Sequence, residues 1–374
     1  MPTNSYWLAE PADALPPAAW HGRAEVVVIG GGVTGCSCAL TLAEAGVRVR
    51  LHEAHEIAAG ASGRNGGFAL RGATVAYDVA RKQLGPDRAR ALMELTERAQ
   101  ARLEQLAGDA FRRVGSLRLA ADEAERAELQ REYEALRSDG FAVEWVDELD
   151  PPLDALYAGA ILHPHDGALQ PARWVRRLAR RAAEAGAHVR EHSPVDVDSV
   201  DADAVVVCGD GSTARLLPEL APFVVPTRGQ VLVTEPLPVQ RYPRPHYARG
   251  GWDYWQQLPD GRLVLGGQRD AALTEESTDV DAVTPTVQGR LEELLGALLG
   301  RRPRVDGRWS GMWGTTPDLL PLVGRVPGRD GVWVAGGYSG HGNVLGLACG
   351  DLVARALLGS PPAELELFDP SRAS

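Results

Sequence analysis

The chain shows two different patterns of apolar and polar positions. The N-terminal part shows the first pattern most clearly, in which short buried strands alternate with helices. The β-branched run at residues 24–29 predicts a buried parallel strand. Residues 34–44 have helical periodicity and end before Gly46, and residues 47–53 predict a second strand. Together these segments predict a β-α-β unit of about thirty residues.

Further segments of the same kind follow as far as residue 208. The residues before them, up to about residue 22, are rich in Pro and Ala and predict an irregular leader. Helical periodicity, with start and stop residues in suitable places, predicts helices at 86–107, 122–139 and 173–185. Apolar runs predict strands at 114–120, 141–146, 188–192 and 204–208.

The pattern changes after Pro226, where aromatic-rich segments with a period of two begin. These segments are 227–234, 247–258 and 262–267, and the turn Pro259-Asp260-Gly261 between the last two indicates a hairpin. This part of the chain therefore predicts an antiparallel sheet. Beyond it, a helix is predicted at 284–299, strands at 304–313 and 331–335, and a final helix at 343–358.

The two patterns predict an α/β fold built from two interleaved domains. A Rossmann-like parallel-sheet domain is assigned to residues 1–75, 155–225 and 320–374. An antiparallel-sheet α+β domain is assigned to the intervening segments, 76–154 and 226–319. Because ligand sites favour domain junctions, we expect a cleft between the two.

The charge of the chain limits its partners. Acidic residues outnumber basic ones by 50 to 39, which gives a formal net charge of −11. Nucleic acid is therefore not an expected partner, since phosphate binding requires a basic face. Lys82 is the only lysine in the sequence, so a Schiff-base or oxygen-activating lysine has almost no available position.

The cysteines and the N-terminus indicate where the protein resides. Their spacing forms neither a disulfide framework nor a C-x-x-C pair, and all lie in apolar stretches: Cys36, Cys38, Cys208 and Cys349. The N-terminus lacks the features of a secretory signal. The longest apolar run, residues 25–42, is interrupted by glycine and polar residues, unlike a membrane span. A cytoplasmic location is the expectation.

The segment Gly30-Gly31-Gly32-Val33-Thr34-Gly35 has the pattern G-x-G-x-x-G and lies between the first predicted strand and helix. Gly30 permits a tight turn, Gly32 lets the backbone approach a pyrophosphate, and Gly35 lets helix and strand pack closely. The helix N-terminus would face the phosphates. Glu53, which ends the second strand, would accept hydrogen bonds from ribose hydroxyls. This pattern predicts a dinucleotide site without distinguishing FAD from NAD.

Two more glycine-rich segments favour FAD. The first, Gly60-Ala61-Ser62-Gly63-Arg64-Asn65-Gly66-Gly67-Phe68, follows the second strand, where a backbone stretch could wrap the diphosphate and reach a flavin ring. The second, Gly337-Tyr338-Ser339-Gly340-His341-Gly342, precedes the final helix. The N-terminus of that helix would stabilise negative charge on a reduced flavin. Neither segment has a use in an NAD half-site.

Along nearly its whole length the chain resembles the D-amino acid oxidase, glycine oxidase and sarcosine oxidase family of FAD enzymes, and especially its γ-glutamylputrescine-oxidase-type branch. The motifs that carry the resemblance are 60–67, Arg228-Gly229-Gln230, Pro259-Asp260-Gly261-Arg262-Leu263 with Gly266-Gly267, Thr316-Pro317-Asp318, and 337–342. The resemblance implies that the first domain binds FAD and the second binds the substrate. It also implies hydride transfer from the carbon beside an amine nitrogen to flavin N5, giving an imine and, with oxygen, hydrogen peroxide.

Two alternatives stay open at this point. A flavin dehydrogenase would pass electrons to a quinone or a protein, and the shortage of lysine keeps this alternative in view. A flavin-binding sensor or complex subunit would turn over little. The oligomeric state is also open.

The motifs also indicate which residues contact the cofactor. About ten residues separate the predicted strands 188–192 and 204–208, too few for a three-stranded meander, since a strand needs about five residues. This spacing predicts a direct crossover that keeps Val195 close to the adenine. The residues expected at FAD are Gly30, Gly32, Val33, Thr34, Gly35, Glu53, Ala54, Ala61, Ser62, Arg64, Asn65, Gly66, Gly67, Val195, Cys208, Gly209, Gly337, Ser339, Gly340, His341, Gly342, Asn343 and Val344.

The chain departs from the family at three informative positions. The cysteine that bonds the flavin in sarcosine oxidases is matched by Gly311, so we expect FAD to be bound non-covalently. The arginine that grips a substrate carboxylate in glycine and D-amino acid oxidases is matched by Trp313. The lysine of sarcosine oxidases after the Gly-His-Gly motif is matched by Val344. Arg71 could replace these anchors, or it could be a surface or phosphate-side arginine.

Four residues are candidates for catalysis or substrate binding: Tyr254, Trp313, Arg71 and His341. Tyr254 falls where glycine oxidases place a substrate-facing tyrosine, although it could equally pack within the sheet. His341 could act near the flavin or serve as a structural histidine. The substrate, a small amine or amino acid, is expected to be held chiefly by aromatic and apolar contacts rather than by a carboxylate clamp. His163 and His165 are interpreted as a surface turn, and no metal site is expected.

Overall fold

The structure of the protein is a computed structural model that describes residues 3–16 and 22–373. Its helices are α1 (Val33–Glu44), α2 (Tyr77–Leu84), α3 (Pro86–Ala107), α4 (Glu123–Ser138), α5 (Pro171–Glu184), α6 (Thr213–Leu216), α7 (Leu273–Glu276), α8 (Pro285–Leu299) and α9 (Gly342–Leu357). Its strands are β1 (Val26–Ile29), β2 (Val49–His52), β3 (Phe68–Ala69), β4 (Phe111–Arg112), β5 (Ser116–Leu119), β6 (Glu144–Val146), β7 (Ala160–His163), β8 (Gly167–Leu169), β9 (His188–Arg190), β10 (Ala204–Val207), β11 (Val225–Thr234), β12 (His246–Ala248), β13 (Asp253–Gln257), β14 (Leu263–Gly267), β15 (Val305–Thr315), β16 (Leu322–Arg325) and β17 (Val332–Gly336).

The first sheet has the strand order β16-β17-β10-β1-β2-β9. All neighbours are parallel except the edge pair β16 and β17. Every residue of β1 and β10 is buried, as expected for central strands covered on both faces. Between β9 and β10 the chain forms only a short 3-10 turn, Val197–Ser199, so the structure agrees with the predicted direct crossover.

Helices α1 and α9 pack closely beside this sheet. A Cβ on Gly350 of α9 would lie 2.4 Å from the carbonyl oxygen of Thr34 in α1, so only glycine fits there. The Ser37 hydroxyl donates to the carbonyl of Leu347 at 2.7 Å. This packing fixes the N-termini of both helices relative to each other, which matters because both open onto the same cavity.

The second sheet has the order β15-β11-β14-β13-β12-β5-β7-β6 and is antiparallel except between β12 and β5. The single strand predicted at 247–258 is in fact two strands, β12 and β13. The chain reverses between them because Arg249, Gly250 and Gly251 all have positive φ. The strand β7 pairs within this sheet, although it falls in the segment 155–225 that the sequence pattern assigned to the first domain. The domain boundaries themselves stay predictions.

The N-terminal leader packs against the body of the protein. A 3-10 turn at Tyr6–Ala9 places Trp7 in the core, where the side chain is 1% exposed and its Nε1 donates to the Asn65 carbonyl at 2.8 Å. Ser5 donates to the carbonyl of Gly63 at 2.8 Å. The described part of the leader is therefore held by contacts, while its residues 17–21 lie outside the described residues.

Within residues 3–16 and 22–373 the structure contains no helix with the length and apolar character needed to cross a membrane.

Candidate functional site

A cavity of about 1620 Å³ lies between the two sheets. One wall is the carboxyl edge of the parallel sheet, where Gly30 follows β1, Glu53 follows β2 and Cys208 follows β10. The opposite wall comes from the second sheet and includes Tyr254 of β13 and Trp313 of β15. A cleft at the carboxyl ends of parallel strands is where open α/β sheets bind their ligands. The volume exceeds that of most small-molecule pockets, which suits an extended ligand.

The glycines after β1 allow an unusually close backbone approach. Gly30 has φ +114°, and a Cβ there would lie 2.5 Å from the carbonyl oxygen of Cys208. A Cβ on Gly35 would lie 1.9 Å from the carbonyl oxygen of Gly30. Helix α1 begins directly afterwards, and its N-cap residue, Gly32, provides no side-chain cap. The Val33 N–H donates to the Ser62 hydroxyl at 3.0 Å, and the first turn of α1 presents its positive dipole end to the cavity.

Glu53 is held in place by the backbone around it. One carboxylate oxygen accepts a hydrogen bond from the Gly31 N–H at 2.7 Å, and the other accepts from the His55 N–H at 2.8 Å. Each oxygen retains lone-pair capacity for a further donor in the cavity. This geometry suits a carboxylate that accepts hydrogen bonds from hydroxyl groups.

The glycine-rich loop 60–67 is fastened by Arg64. Its guanidinium donates to the carbonyls of Ala59 at 2.7 Å and Ser310 at 3.1 Å, and it forms an ion pair with Asp281 at 3.2 Å. The charge of Arg64 is thus satisfied within the protein. Asn65 connects the loop to helix α9 through paired amide contacts with Asn343, at 3.2 and 3.3 Å.

The loop before α9 is organised by a buried acid. Asp210 accepts hydrogen bonds from the backbone N–H groups of Gly337 at 2.9 Å and Tyr338 at 3.3 Å. Burial nevertheless raises the pKa of Asp210 to about 6. Helix α9 then begins at Gly342, and its N-cap residue, His341, makes no side-chain cap bond. The N-terminus of a second helix consequently faces the cavity.

His341 is neutral at neutral pH. Burial lowers the pKa of its imidazole to about 4, and its Nδ1 lies 3.0 Å from the Thr74 hydroxyl. The ring of Tyr247 contacts it edge-on, with 5.9 Å between centroids. A neutral imidazole with a weak affinity for protons can accept or donate a hydrogen bond here, but it is a poor base.

One wall of the cavity, which we call the aromatic wall, is lined by Tyr254, Trp313, His341, Trp252 and Arg269. The sequence indicated the first three as site residues but did not indicate Arg269. The ring of Tyr254 packs on Phe68 with 5.9 Å between centroids, and burial raises the pKa of its hydroxyl. The Arg269 guanidinium lies over the ring of Trp252 at 4.4 Å and of Trp313 at 5.5 Å. Together with His341, Tyr254 and Trp313 therefore border one space.

Arg71 does not take part in this space. Its side chain is 1% exposed and forms ion pairs with Asp166 at 3.1 Å and Glu97 at 2.5 Å, and it donates to the Ala142 carbonyl at 3.2 Å. It borders a separate small cavity of about 60 Å³. A buried guanidinium requires such partners, so neither a grip on a substrate carboxylate nor a surface or phosphate-side position describes Arg71.

The turn at His163 and His165 connects β7 to β8, and only His165 is exposed. Between residues 3 and 16 and from 22 to 373, no group of three or more His, Cys, Asp or Glu side chains is arranged to hold a metal ion.

Most of the residues expected at the cofactor or the substrate border the large cavity. They are Gly30, Gly32, Val33, Thr34, Glu53, Ala54, Ala61, Ser62, Arg64, Asn65, Gly66, Val195, Cys208, Gly209, Tyr254, Trp313, Ser339, Gly340, His341, Gly342, Asn343 and Val344. Three predicted glycines lie behind its surface. Gly35 packs against Gly30, a Cβ on Gly67 would lie 2.3 Å from the Gln256 amide nitrogen, and a Cβ on Gly337 would lie 2.8 Å from Thr316.

The cavity also contains residues that sequence reasoning missed, chiefly Thr74, Asp210, Tyr247 and Arg269. Asp210 carried a usable signal, because it follows the buried strand β10 at the carboxyl edge of the sheet. Nothing in the local sequence pattern around Arg269 indicates that its guanidinium would contact two tryptophan rings.

Comparison with known proteins identifies the family. A sequence model described as FAD dependent oxidoreductase matches residues 25–356. The chain belongs to this family. FAD is accordingly the cofactor that the family implies, and the chain is an FAD-dependent oxidoreductase.

Individual relatives cover nearly the whole chain. Gamma-glutamylputrescine oxidoreductase of Escherichia coli (strain K12) is 30% identical over 401 residues, covering 98% of this chain and 91% of the relative. Glycine oxidase of Bacillus licheniformis is 28% identical, covering 91% and 94%. The crystal structure of glycine oxidase from Geobacillus kaustophilus has a TM-score of 0.75 at 26% identity, covering 95% of this chain and 98% of that chain. These similarities confirm the predicted family and fold class.

The observed geometry fits FAD. A Cβ on Gly30 or Gly32 would close the approach to the first turn of α1, since at Gly32 it would lie 2.9 Å from the Ser62 hydroxyl. The cavity is continuous from this turn to the aromatic wall, which gives room for both halves of a dinucleotide. The positive dipole ends of α1 and α9 match the negative charge that FAD carries on its diphosphate and develops on its reduced ring.

Proposed function

We propose that this oxidoreductase dehydrogenates the C–N bond of a small amine or amino acid, with non-covalent FAD as the hydride acceptor. When bound, FAD would accept a hydride at N5 from the carbon beside the amine nitrogen, and its reoxidation by oxygen would give hydrogen peroxide. The observation that carries the proposal is one continuous cavity that joins a glycine-lined dinucleotide cradle to an aromatic wall. Two relatives are named gamma-glutamylputrescine oxidoreductase and glycine oxidase, and these names support an amine as the substrate.

The dinucleotide end would be bound by backbone groups and one carboxylate. The first turn of α1, at Val33 and Thr34, would hold the diphosphate. Glu53, oriented by two backbone N–H groups, would accept hydrogen bonds from the ribose hydroxyls. Val195 and Ala54 border the same end of the cavity and would contact the adenine.

The flavin end would be bound by the two glycine-rich loops. The N-terminus of α9, at Gly342 and Asn343, would stabilise negative charge on the pyrimidine side of the reduced ring. The Asn65–Asn343 contact holds the loop 60–67 against this helix.

The reacting end offers orientation and no strong base. Burial keeps the Tyr254 hydroxyl protonated and lowers the pKa of His341 to about 4. The substrate amine would therefore have to lose its proton to solvent before hydride transfer, and the aromatic wall would orient the carbon to be oxidised.

Oxygen uptake tests the finer part of the proposal. The purified holoprotein is mixed with amines and amino acids in an oxygen electrode, and peroxide is measured with and without catalase. We expect equal consumption of oxygen and formation of peroxide with the active substrate. Flavin reduction by a substrate without oxygen uptake would instead assign the electrons to a quinone or protein acceptor.

A further inference from the structure

We infer that Trp252, Arg269 and Trp313 form a subsite for a carboxylate group of the substrate. This inference rests on the proposed function and makes it more specific, because it selects amines that also carry a carboxylate. It replaces the expectation that aromatic and apolar contacts, and no carboxylate clamp, chiefly hold the substrate. Trp313 occupies the position of the family's carboxylate-binding arginine. In this inference Arg269, which follows β14, takes over that role and Trp313 packs against it.

The first observation is the geometry of the guanidinium. Arg269 follows β14 and reaches into the large cavity, where its guanidinium lies 4.4 Å from the ring centroid of Trp252 and 5.5 Å from that of Trp313. All three side chains border the cavity and are half-buried. Ring contacts use the face of a guanidinium and leave its N–H edge free. That edge is the part that pairs with a carboxylate through two parallel hydrogen bonds.

The second observation is that the charge of Arg269 has no acidic partner. Among residues 3–16 and 22–373 no carboxylate oxygen lies within 4.0 Å of its nitrogens. The two acids that influence it are already paired, Asp270 with Arg249 and Glu276 with Arg228. An arginine stays charged even where burial lowers its pKa, so an anion from outside the protein would complete the site.

Three well-buried arginines of the chain are each paired with an acid, unlike Arg269. Arg71 forms ion pairs with two acids, and Arg228 pairs with Glu276 at 2.7 Å while its side chain is 4% exposed. Arg64, on another wall of the same cavity, is paired with Asp281. Of these four arginines, Arg269 alone lies on the aromatic wall and has no acidic partner. A carboxylate suits Arg269 better than a compact anion, because carboxylate and guanidinium are both planar and can form two parallel hydrogen bonds.

The test uses binding, so that it does not depend on turnover. Aliphatic carboxylates from acetate to hexanoate and benzoate are titrated into the holoprotein, each beside its carboxamide, and the visible flavin absorbance reports binding. We expect the carboxylate of a pair to bind about ten- to a hundredfold more tightly than the amide, as charged hydrogen bonds require. Arg269→Gln should remove this preference without weakening the amide. Arg269→Lys should keep part of it.

Controls separate this inference from other effects. Arg290→Gln changes an exposed arginine of α8 that pairs only with Glu293, and it should keep the full preference. FAD content and Tm show whether each variant is folded. Equal binding of acid and amide in the unaltered protein, no binding of either series, or an undiminished preference in Arg269→Gln would overturn the inference. Each of these results would leave the proposed oxidation intact, because that is measured separately through flavin reduction.

Discussion

Three arginines close to the cavity differ in how their charge is satisfied. Arg64 fastens the loop 60–67 through two carbonyls and Asp281. Arg71 is buried and forms ion pairs with two acids, Asp166 and Glu97. Arg269 contacts two tryptophan rings and has no acidic partner among the described residues. The same side chain therefore serves a loop, a core and a ligand subsite, and the neighbouring carboxylates decide which.

Glu53 provides the sharpest prediction at this scale for cofactor binding. Glu53→Ala removes a charged acceptor for two ribose hydroxyls, so we expect FAD to bind about ten- to a hundredfold more weakly, with little change in the chemistry of the remaining holoprotein. Titration of the apoprotein with FAD measures the Kd. The Kd of Glu53→Gln for FAD should lie between those of the unaltered protein and of Glu53→Ala. A Kd unchanged in Glu53→Ala would mean that Glu53 does not bind the ribose.

Gly311 predicts how FAD is attached. It stands on β15 beside Arg64 and offers no nucleophile, and burial raises the pKa of Cys208, the cysteine that borders the cavity, to about 12. A thiol with such a pKa is not a nucleophile at neutral pH. Acid or heat should release all of the flavin as free FAD. Flavin that remains on the denatured polypeptide after gel filtration would refute non-covalent binding.

Asp210 predicts a dependence of stability on pH. Burial raises its pKa from 3.8 to about 6, so its contribution to stability is present at low pH and is lost as the pH rises through about 6. Asp210→Asn removes this loss, and the amide oxygen can still accept from Gly337 and Tyr338. We compare the free energy of unfolding of the variant with that of the unaltered protein. The difference in favour of the variant should be about 1 kcal/mol larger at about pH 8 than at about pH 5. Chemical denaturation at both pH values measures the free energy of unfolding of the two proteins. The same stability difference at both pH values would contradict a raised pKa for Asp210.

At the scale of elements, the periodicity of the sequence predicts long helices and strands well, but it does not show where the chain reverses within an alternating segment. The helix predicted at 86–107 has the observed bounds Pro86–Ala107, because Pro at its start and Gly108 after its end mark both limits. The segment 247–258 alternates throughout, so its period hides the reversal at Arg249–Gly251. The short strands β3, β4 and β8 were also missed, since two or three residues carry no period. Contacts between elements are equally invisible, which explains why Arg71 was misplaced and Arg269 was overlooked.

The packing of α1 on α9 can be tested with two helical glycines. A Cβ on Gly350 would lie 2.4 Å from the Thr34 carbonyl oxygen, so Gly350→Ala should destabilise the holoprotein by about 1–3 kcal/mol and weaken FAD binding. Gly289 of α8 has no neighbour within 4 Å of such a Cβ, so Gly289→Ala should gain up to about 1 kcal/mol. Thermal unfolding compares them. Equal effects of the two substitutions would show that α1 and α9 do not pack as described.

For the whole molecule, two sheets of different type meet at one cavity, and each contributes a separate part of the site. The parallel sheet supplies the glycine turn and Glu53, which the sequence could indicate because these residues are adjacent to one strand or helix end. The antiparallel sheet supplies Tyr254, Trp313 and Arg269, whose meeting depends on β13, β14 and β15 lying in one sheet. Only the folded chain brings these strands together with the loop before α9, and so completes the aromatic wall.

Anaerobic reduction of the flavin tests the central claim most directly. The purified holoprotein is mixed without oxygen with a panel of amines and amino acids, and the visible absorbance of the flavin is followed. We expect at least one member to bleach the flavin and to form the corresponding imine or its hydrolysis product, with the colour returning when an acceptor is admitted. A flavin that dithionite reduces but that no amine or amino acid bleaches would contradict the proposed oxidation of a C–N bond.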